Sequence, residues 1–290
     1  MSSSLLMKFI FINIAMFVLL RLVAVFCLLT GSMFNLVDIV ALPSHWLGAL
    51  IFPWTIFTYM FSHFGVWHFL FNMLWLYWFG NIFLNFFTPR QLGSLYIMGG
   101  LLGAALFLLM FNLFPAFGEA YLIGASAAIF AIVIAVSVYR PNYQINLLFI
   151  GGIPIKWLSI VAVFIDFITI VEGNLGGHIA HVGGMLTGLW FALAIKNGHD
   201  ITSWISRCLD AIVSIFKSWP RKARNPNGGK AAKHRKTKNN KNKTNGTKSK
   251  SAASLNEERL DEILGKLKRS GYGALSDEEK EFLFDASRKR

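Results

Sequence analysis

The feature that most limits what this chain can fold into is the scarcity of charge in its first two-thirds. Residues 1–195 hold nine charged side chains: Lys8, Arg21, Arg90, Arg140 and Lys156, with Asp38, Glu119, Asp166 and Glu172. A soluble domain carries about 25% charged residues, so this stretch cannot supply an ordinary water-facing surface. It divides instead into apolar runs near 8–29, 66–86, 92–114, 121–139, 154–172 and 178–196. Most reach the roughly 20 residues needed to cross a bilayer. Thr88-Pro89-Arg90, Pro115, Arg140-Pro141-Asn142 and the glycine-rich 173–177 separate them, each a breaker or turn cluster. The first run is longer than a signal-peptide core and no small-x-small cleavage site follows it, so it reads as a helix. The expected fold is an all-α polytopic membrane protein with six spans.

The remainder of the chain has the opposite character. Residues 196–290 carry 23 basic and 11 acidic groups, out of a whole-chain net charge of +13. The expected organisation is a six-helix membrane domain over 1–199, an interfacial amphipathic helix over 200–219, a basic disordered linker over 220–253 and a small cytosolic helical hairpin over 254–290. Trp204, Ile205, Leu209, Ile212, Ile215 and Phe216 give the second its apolar face. Lys, Arg, Asn, Gly, Thr and Ser leave the linker nothing to bury. Its basic run suits anionic lipid headgroups and lacks the interleaved aromatics of a nucleic-acid platform, so no nucleic acid is expected as a partner. Six crossings put both ends on one side, and positive-inside bias makes that side cytoplasmic. Arg90, Arg140 and Lys156 then fall in inner connections, while 30–65, 115–120 and 173–177 contain no Lys or Arg. The long outer loop 30–65 is rich in Leu and Trp, and is expected to rest in the interface as a pair of helices bracing the bundle or shaping substrate entry. Two isolated cysteines, Cys27 and Cys208, exclude a disulfide framework.

Polar side chains in such spans need a partner or a role. His68, Ser126 and His181 lie near the outer ends of the second, fourth and sixth runs, roughly 5, 10 and 6 Å below the helix ends at about 1.5 Å per residue. These runs all enter from outside, so the three can share one shallow, water-reachable pocket. Gly124-Ala125-Ser126-Ala127-Ala128 is a small-residue patch, and Gly184 and Gly188 form a GxxxG face beside His181. Such faces allow close helix approach, near enough for a serine hydroxyl to reach an imidazole base. His68 and Asn72, spaced i, i+4, share a helix face and suit either a developing oxyanion or simple interhelical hydrogen bonding. Phe130 lies one turn below Ser126, where it can pack on an imidazole ring. His63 and His178 lie at outer span ends, within reach of water, and His178 is a candidate support for the pocket. Asp166 has two readings, orienting His181 or pairing with Arg21. No HExxH or other metal-ligand spacing occurs, so no metal and no cofactor are expected.

These residues resemble a family. His68-Phe-Leu-Phe-Asn72, Gly124-Ala125-Ser126 and Ala180-His181-Val182-Gly183-Gly184 are similar, in order, to the HxxxN, GxSx and AHxxG motifs of the rhomboid intramembrane serine proteases, across about 60–200. The resemblance implies a Ser–His dyad with Ser126 as nucleophile and His181 as base, and His68 and Asn72 serving the oxyanion. It implies cleavage of membrane-spanning protein substrates near the outer face of the bilayer. Three positions depart from the family: Ala127 follows the serine where Gly is common, Phe130 replaces the usual Tyr, and 30–65 has no Trp-Arg pair. The tail hairpin resembles a short module appended to some bacterial rhomboids. With a short N-terminus and no organelle-type presequence, the expected location is a bacterial inner membrane. Two rival readings are a catalytically silent rhomboid-like adaptor or quality-control protein, and a transporter. The transporter would call for more midplane charge and broken helices.

Overall fold

A computed structural model describes residues 3–147, 151–208, 211, 260, 262–263, 265–266 and 275–288. The chain forms two compact units, Met1–Lys222 and Ala223–Arg290. In the first unit the order is α1 (Ser3–Thr30), α2 (Val37–Val40), β1 (Leu42–Pro43), α3 (Trp46–Ile51), α4 (Thr55–Thr58), α5 (Val66–Leu84), α6 (Pro89–Leu113), β2 (Tyr121–Leu122), α7 (Ser126–Tyr139), β3 (Gln144–Leu147), β4 (Gly151–Pro154), α8 (Ile155–Ile168) and α9 (Leu175–Lys196). The architecture is that of an all-α polytopic bundle. Segments Leu5–Thr30, Pro89–Leu113 and Leu175–Lys196 are long and apolar enough to cross a membrane.

The fourth run differs from its expected bounds. Residues 121–125 are not helical: Tyr121 and Leu122 pair antiparallel with Pro43 and Leu42, and Ser44 and Ala120 exchange two further hydrogen bonds of 2.9 and 3.0 Å. Helix α7 therefore starts at Ser126. Its 14 residues span about 21 Å, and its first turn follows directly on the paired loop segment. The loop 30–65 is not a pair of helices but contains α2, β1, α3 and α4. It does present the expected apolar surface, with Trp46, Leu50 and Ile51 all about 60% exposed.

The core is built by backbone approach. A Cβ added to Gly184 would lie 2.0 Å from the Ala127 carbonyl oxygen, and one on Gly188 2.3 Å from that of Ala131. Helix α6 joins the same seam: a Cβ on Gly99 would meet Ala131 Cβ of α7 at 2.5 Å, and one on Gly183 of α9 would meet Gly103 Cα of α6 at 2.7 Å. Helices α6, α7 and α9 thus pack with almost no side-chain thickness between them, as small residues permit in lipid. Helix α1 leans on α5 through the stacked rings of Phe17 and Phe69, whose centroids are 4.2 Å apart. Helix α8 turns Phe164, Phe167 and Ile168 outward and buries Ile155, Ser159 and Ala162.

In the second unit, α10 (Asp277–Arg288) opens with a capping box. The Ser276 N–H donates to Glu279 Oε2 (2.8 Å) and the Glu279 N–H to Ser276 Oγ (3.3 Å). Lys266 Nζ also reaches Glu279 Oε2, at 2.8 Å. Of the expected interfacial helix, residues 203–208 are helical, while 209, 210 and 212–219 lie outside the described residues, as do the linker 220–253 and the turn expected at 270–273.

Candidate active site

The start of α7 is set by the loop before it. Gly124 adopts φ +112°, a conformation L side chains rarely accept. A Cβ there would also lie 2.6 Å from His68 Cε1. The Gly124 N–H donates to Tyr59 O (2.9 Å) and the Ala125 N–H to His63 Nε2 (3.3 Å). His63 is therefore not at a watery span end: it is fully buried and holds the chain just ahead of Ser126. Ser126 becomes the first residue of a helix whose leading N–H groups have no intrahelical acceptor.

The glycine seam brings α9 to this point. Ser126 Oγ lies 2.6 Å from His181 Nε2. His181 Nδ1 lies 2.5 Å from Asp166 Oδ1 on α8, and His178 Nδ1 lies 2.8 Å from that same oxygen. The side chains of Asp166, His178 and His181 are only 10–12% exposed. Phe130 packs on the His181 ring with centroids 4.9 Å apart. Asn174 caps α9 by accepting from the Gly177 N–H (3.2 Å). Within the seam, Gly184 holds α9 against α7 as described above.

A cavity of about 340 Å³ opens over Ser126, with His68, Asn72, Ala162, Asp166 and His181 in its wall. His68 is exposed. Asn72 is buried and gives one of its amide hydrogens to the His68 carbonyl within its own helix (2.8 Å). The structure thus brings Ser126, His181, His68, Asn72, Phe130 and His178 to one place, with Gly124 and Gly184 as spacers. It separates Asp166 from Arg21, whose guanidinium donates to the Phe64 carbonyl and lies over the Phe17 ring.

Among the described residues, Asp166, His178 and His181 also offer three metal-ligand atoms within 4.8 Å of one another. Ligands of a tetrahedral zinc at about 2.0–2.1 Å stand about 3.3 Å apart. The 2.5 and 2.8 Å separations to a shared oxygen are those of hydrogen bonds.

Comparison with known proteins matches residues 53–197, half of the chain, to the family model described as Rhomboid domain. RHOMBOID-like protein 12, mitochondrial, of Arabidopsis thaliana is 32% identical over 144 residues, 45% of this chain and 43% of the relative. Presenilin-associated rhomboid-like protein, mitochondrial, of Bos taurus is 25% identical over 172 residues, covering 58% and 44%. Presenilin-associated rhomboid-like protein A, mitochondrial, of Danio rerio is 28% identical over 148 residues, covering 49% and 36%. The chain spans less than half the length of these curated relatives.

Proposed function

The chain belongs to the rhomboid family of integral membrane proteins, and from that premise we propose that it is an intramembrane serine endopeptidase using Ser126 and His181. The observation that carries this reading is the 2.6 Å approach of Ser126 Oγ to His181 Nε2, within the range of a nucleophile and its general base. Ser126 Oγ attacks the scissile carbonyl while His181 Nε2 takes the hydroxyl proton and passes it to the leaving amine. Water entering the cavity then attacks the acyl-enzyme, His181 takes the water's proton, and Ser126 regains its own. His68, Asn72 and the leading N–H groups of α7 are the donors available to the oxyanion.

The substrate class is membrane-spanning protein. A transmembrane helix shields its carbonyls in its own hydrogen bonds, so the substrate unwinds locally before Ser126 can reach one. The uneven distribution of Lys and Arg supports cleavage near the outer face, with both termini on the cytoplasmic side and the basic tail facing anionic headgroups. Alkaline phosphatase fused at either terminus is expected to stay inactive there, and an active fusion overturns the orientation.

The activity test is cleavage of a single-span reporter by wild type and Ser126→Ala at equal expression, with fluorophosphonate labelling of both. Wild type is expected to cleave and to be labelled, and Ser126→Ala to do neither. Absence of labelling in folded wild type would favour a silent adaptor on the same scaffold.

A further inference from the structure

We propose that Asp166 is a positioning residue that extends the serine–histidine pair into a relay, Ser126–His181–Asp166–His178. The inference rests on the protease reading and assigns a role to a carboxylate that reading does not need.

Four observations carry it. First, the two imidazole Nδ1 atoms converge on one oxygen, Asp166 Oδ1, at 2.5 and 2.8 Å. A carboxylate oxygen only accepts, so both contacts are Nδ1–H donations. For His181 this places the hydrogen on Nδ1 and leaves the Nε2 lone pair pointing at Ser126 Oγ, 2.6 Å away. That is the tautomer a general base requires, and the other ring nitrogen's partner decides which tautomer is held.

Second, Asp166 lies where α8 can deliver it. Ile155, Ser159 and Ala162 are the buried residues of that helix, and their spacing of four and three residues continues to 166, one stripe of an α-helix. The neighbours Ile165 and Phe167 are 51% and 70% exposed and face outward, so the carboxylate stands alone on the inner stripe.

Third, a carboxylate on a membrane helix is costly unless something answers it. Arg21 does not answer it, since its guanidinium donates to the Phe64 carbonyl. Its partners among the described residues are His178 and His181.

Fourth, His178 makes the arrangement rigid. It lies one turn before His181 on α9 and is buried, so two donors from one helix grip a single oxygen and restrain the carboxylate from turning away. In the reaction His181 gains the Ser126 proton at Nε2 and becomes an imidazolium. Its Nδ1 hydrogen stays on the ring, and Asp166 remains ionised opposite the new positive charge. No proton moves to the carboxylate.

The alternative is that Asp166 merely ties α8 to α9. The experiment separates the two with the full-length protein in detergent and a fluorogenic transmembrane substrate, measuring kcat, KM, Tm and the rate of fluorophosphonate labelling. Asp166→Ala and Asp166→Asn are expected to lower kcat by about 100-fold or more with KM within about threefold, and to slow labelling in parallel. Sodium formate is expected to restore part of the loss in Asp166→Ala, which leaves room for a carboxylate. It should restore nothing in Asp166→Asn, whose amide fills that room. Either variant keeping kcat within about threefold of wild type overturns the relay, as does a loss in Asp166→Ala that formate leaves untouched. Should Asp166→Ala fail to fold, the near-isosteric Asp166→Asn decides. A lowered kcat at unchanged KM and Tm then supports the relay, and an unchanged kcat overturns it. Cleavage by Ser126→Ala in the same assay would instead defeat the protease reading, so the two failures are told apart.

Discussion

The α6–α7–α9 trio and helix α8 meet at the same cavity but are held by different means. In the trio, glycines at 99, 103, 183, 184 and 188 let backbone touch backbone, with Cβ positions that would fall 2.0–2.9 Å from the next helix. Helix α8 has no such seam: it buries Ile155, Ser159 and Ala162 and turns its large residues outward. Ser126 and His181 belong to the backbone-packed part, Asp166 to the helix held without a glycine seam. The proposed nucleophile and base are thus held by steric fit between backbones. The group that orients it arrives on a helix held by hydrogen bonds and a narrow stripe of small side chains.

The largest effect is expected from breaking the seam. Gly184→Val puts branched carbon where 2.0 Å separates a Cβ from the Ala127 carbonyl oxygen, a backbone atom that cannot rotate aside. Overpacking of this kind costs about 3 kcal/mol or more, and here it forces α9 off α7 at the level of the Ser126–His181 contact. Loss of both reporter cleavage and the cooperative thermal transition is expected. Retention of wild-type Tm would mean that the two helices are not held together at this point.

A smaller effect is expected within the cavity. Phe130 packs against the His181 imidazole in a tilted contact, with centroids 4.9 Å apart. An aromatic contact of this type contributes about 0.5–1.5 kcal/mol, equivalent to roughly 2- to 12-fold in rate. Phe130→Ala should lower kcat by that amount with little change in Tm. Phe130→Tyr keeps the ring and should keep the rate. Equal losses in the two variants would show that the ring face is not what matters.

The two regions also differ in how far they could be read from residues alone. The seam was legible because small residues spaced four apart in an apolar run have few other uses, and Ser126 and His181 fell beside it. The start of α7 was not, because 121–125 are as apolar as the helix that follows. What excludes them from it is pairing with Leu42 and Pro43, some eighty positions away and invisible to local hydropathy. His63 was misjudged for the same reason: its distance from the span end said water, whereas the folded loop buries it against Ala125. Asp166 was ambiguous between Arg21 and His181 by depth. The stripe through Ser159 and Ala162 is the signal that favours His181, since small and polar residues recurring at helical spacing mark the face that turns away from lipid.

The smallest effect is expected on the outer face of α8, and it sharpens the contrast most economically. Phe164 is 61% exposed and Val161 53%, on the side opposite Ser159 and Ala162. If α8 is held by its inner stripe and by Asp166, truncating these outward side chains removes contacts with lipid rather than with protein. Phe164→Ala and Val161→Ala should leave Tm within the shift produced by about 0.5 kcal/mol, and fluorophosphonate labelling at the wild-type rate. A fall in labelling to the level of Asp166→Ala would mean that the outward residues also fix the helix. The distinction between a sterically locked trio and a hydrogen-bonded neighbour would then fail at the helix that defines it.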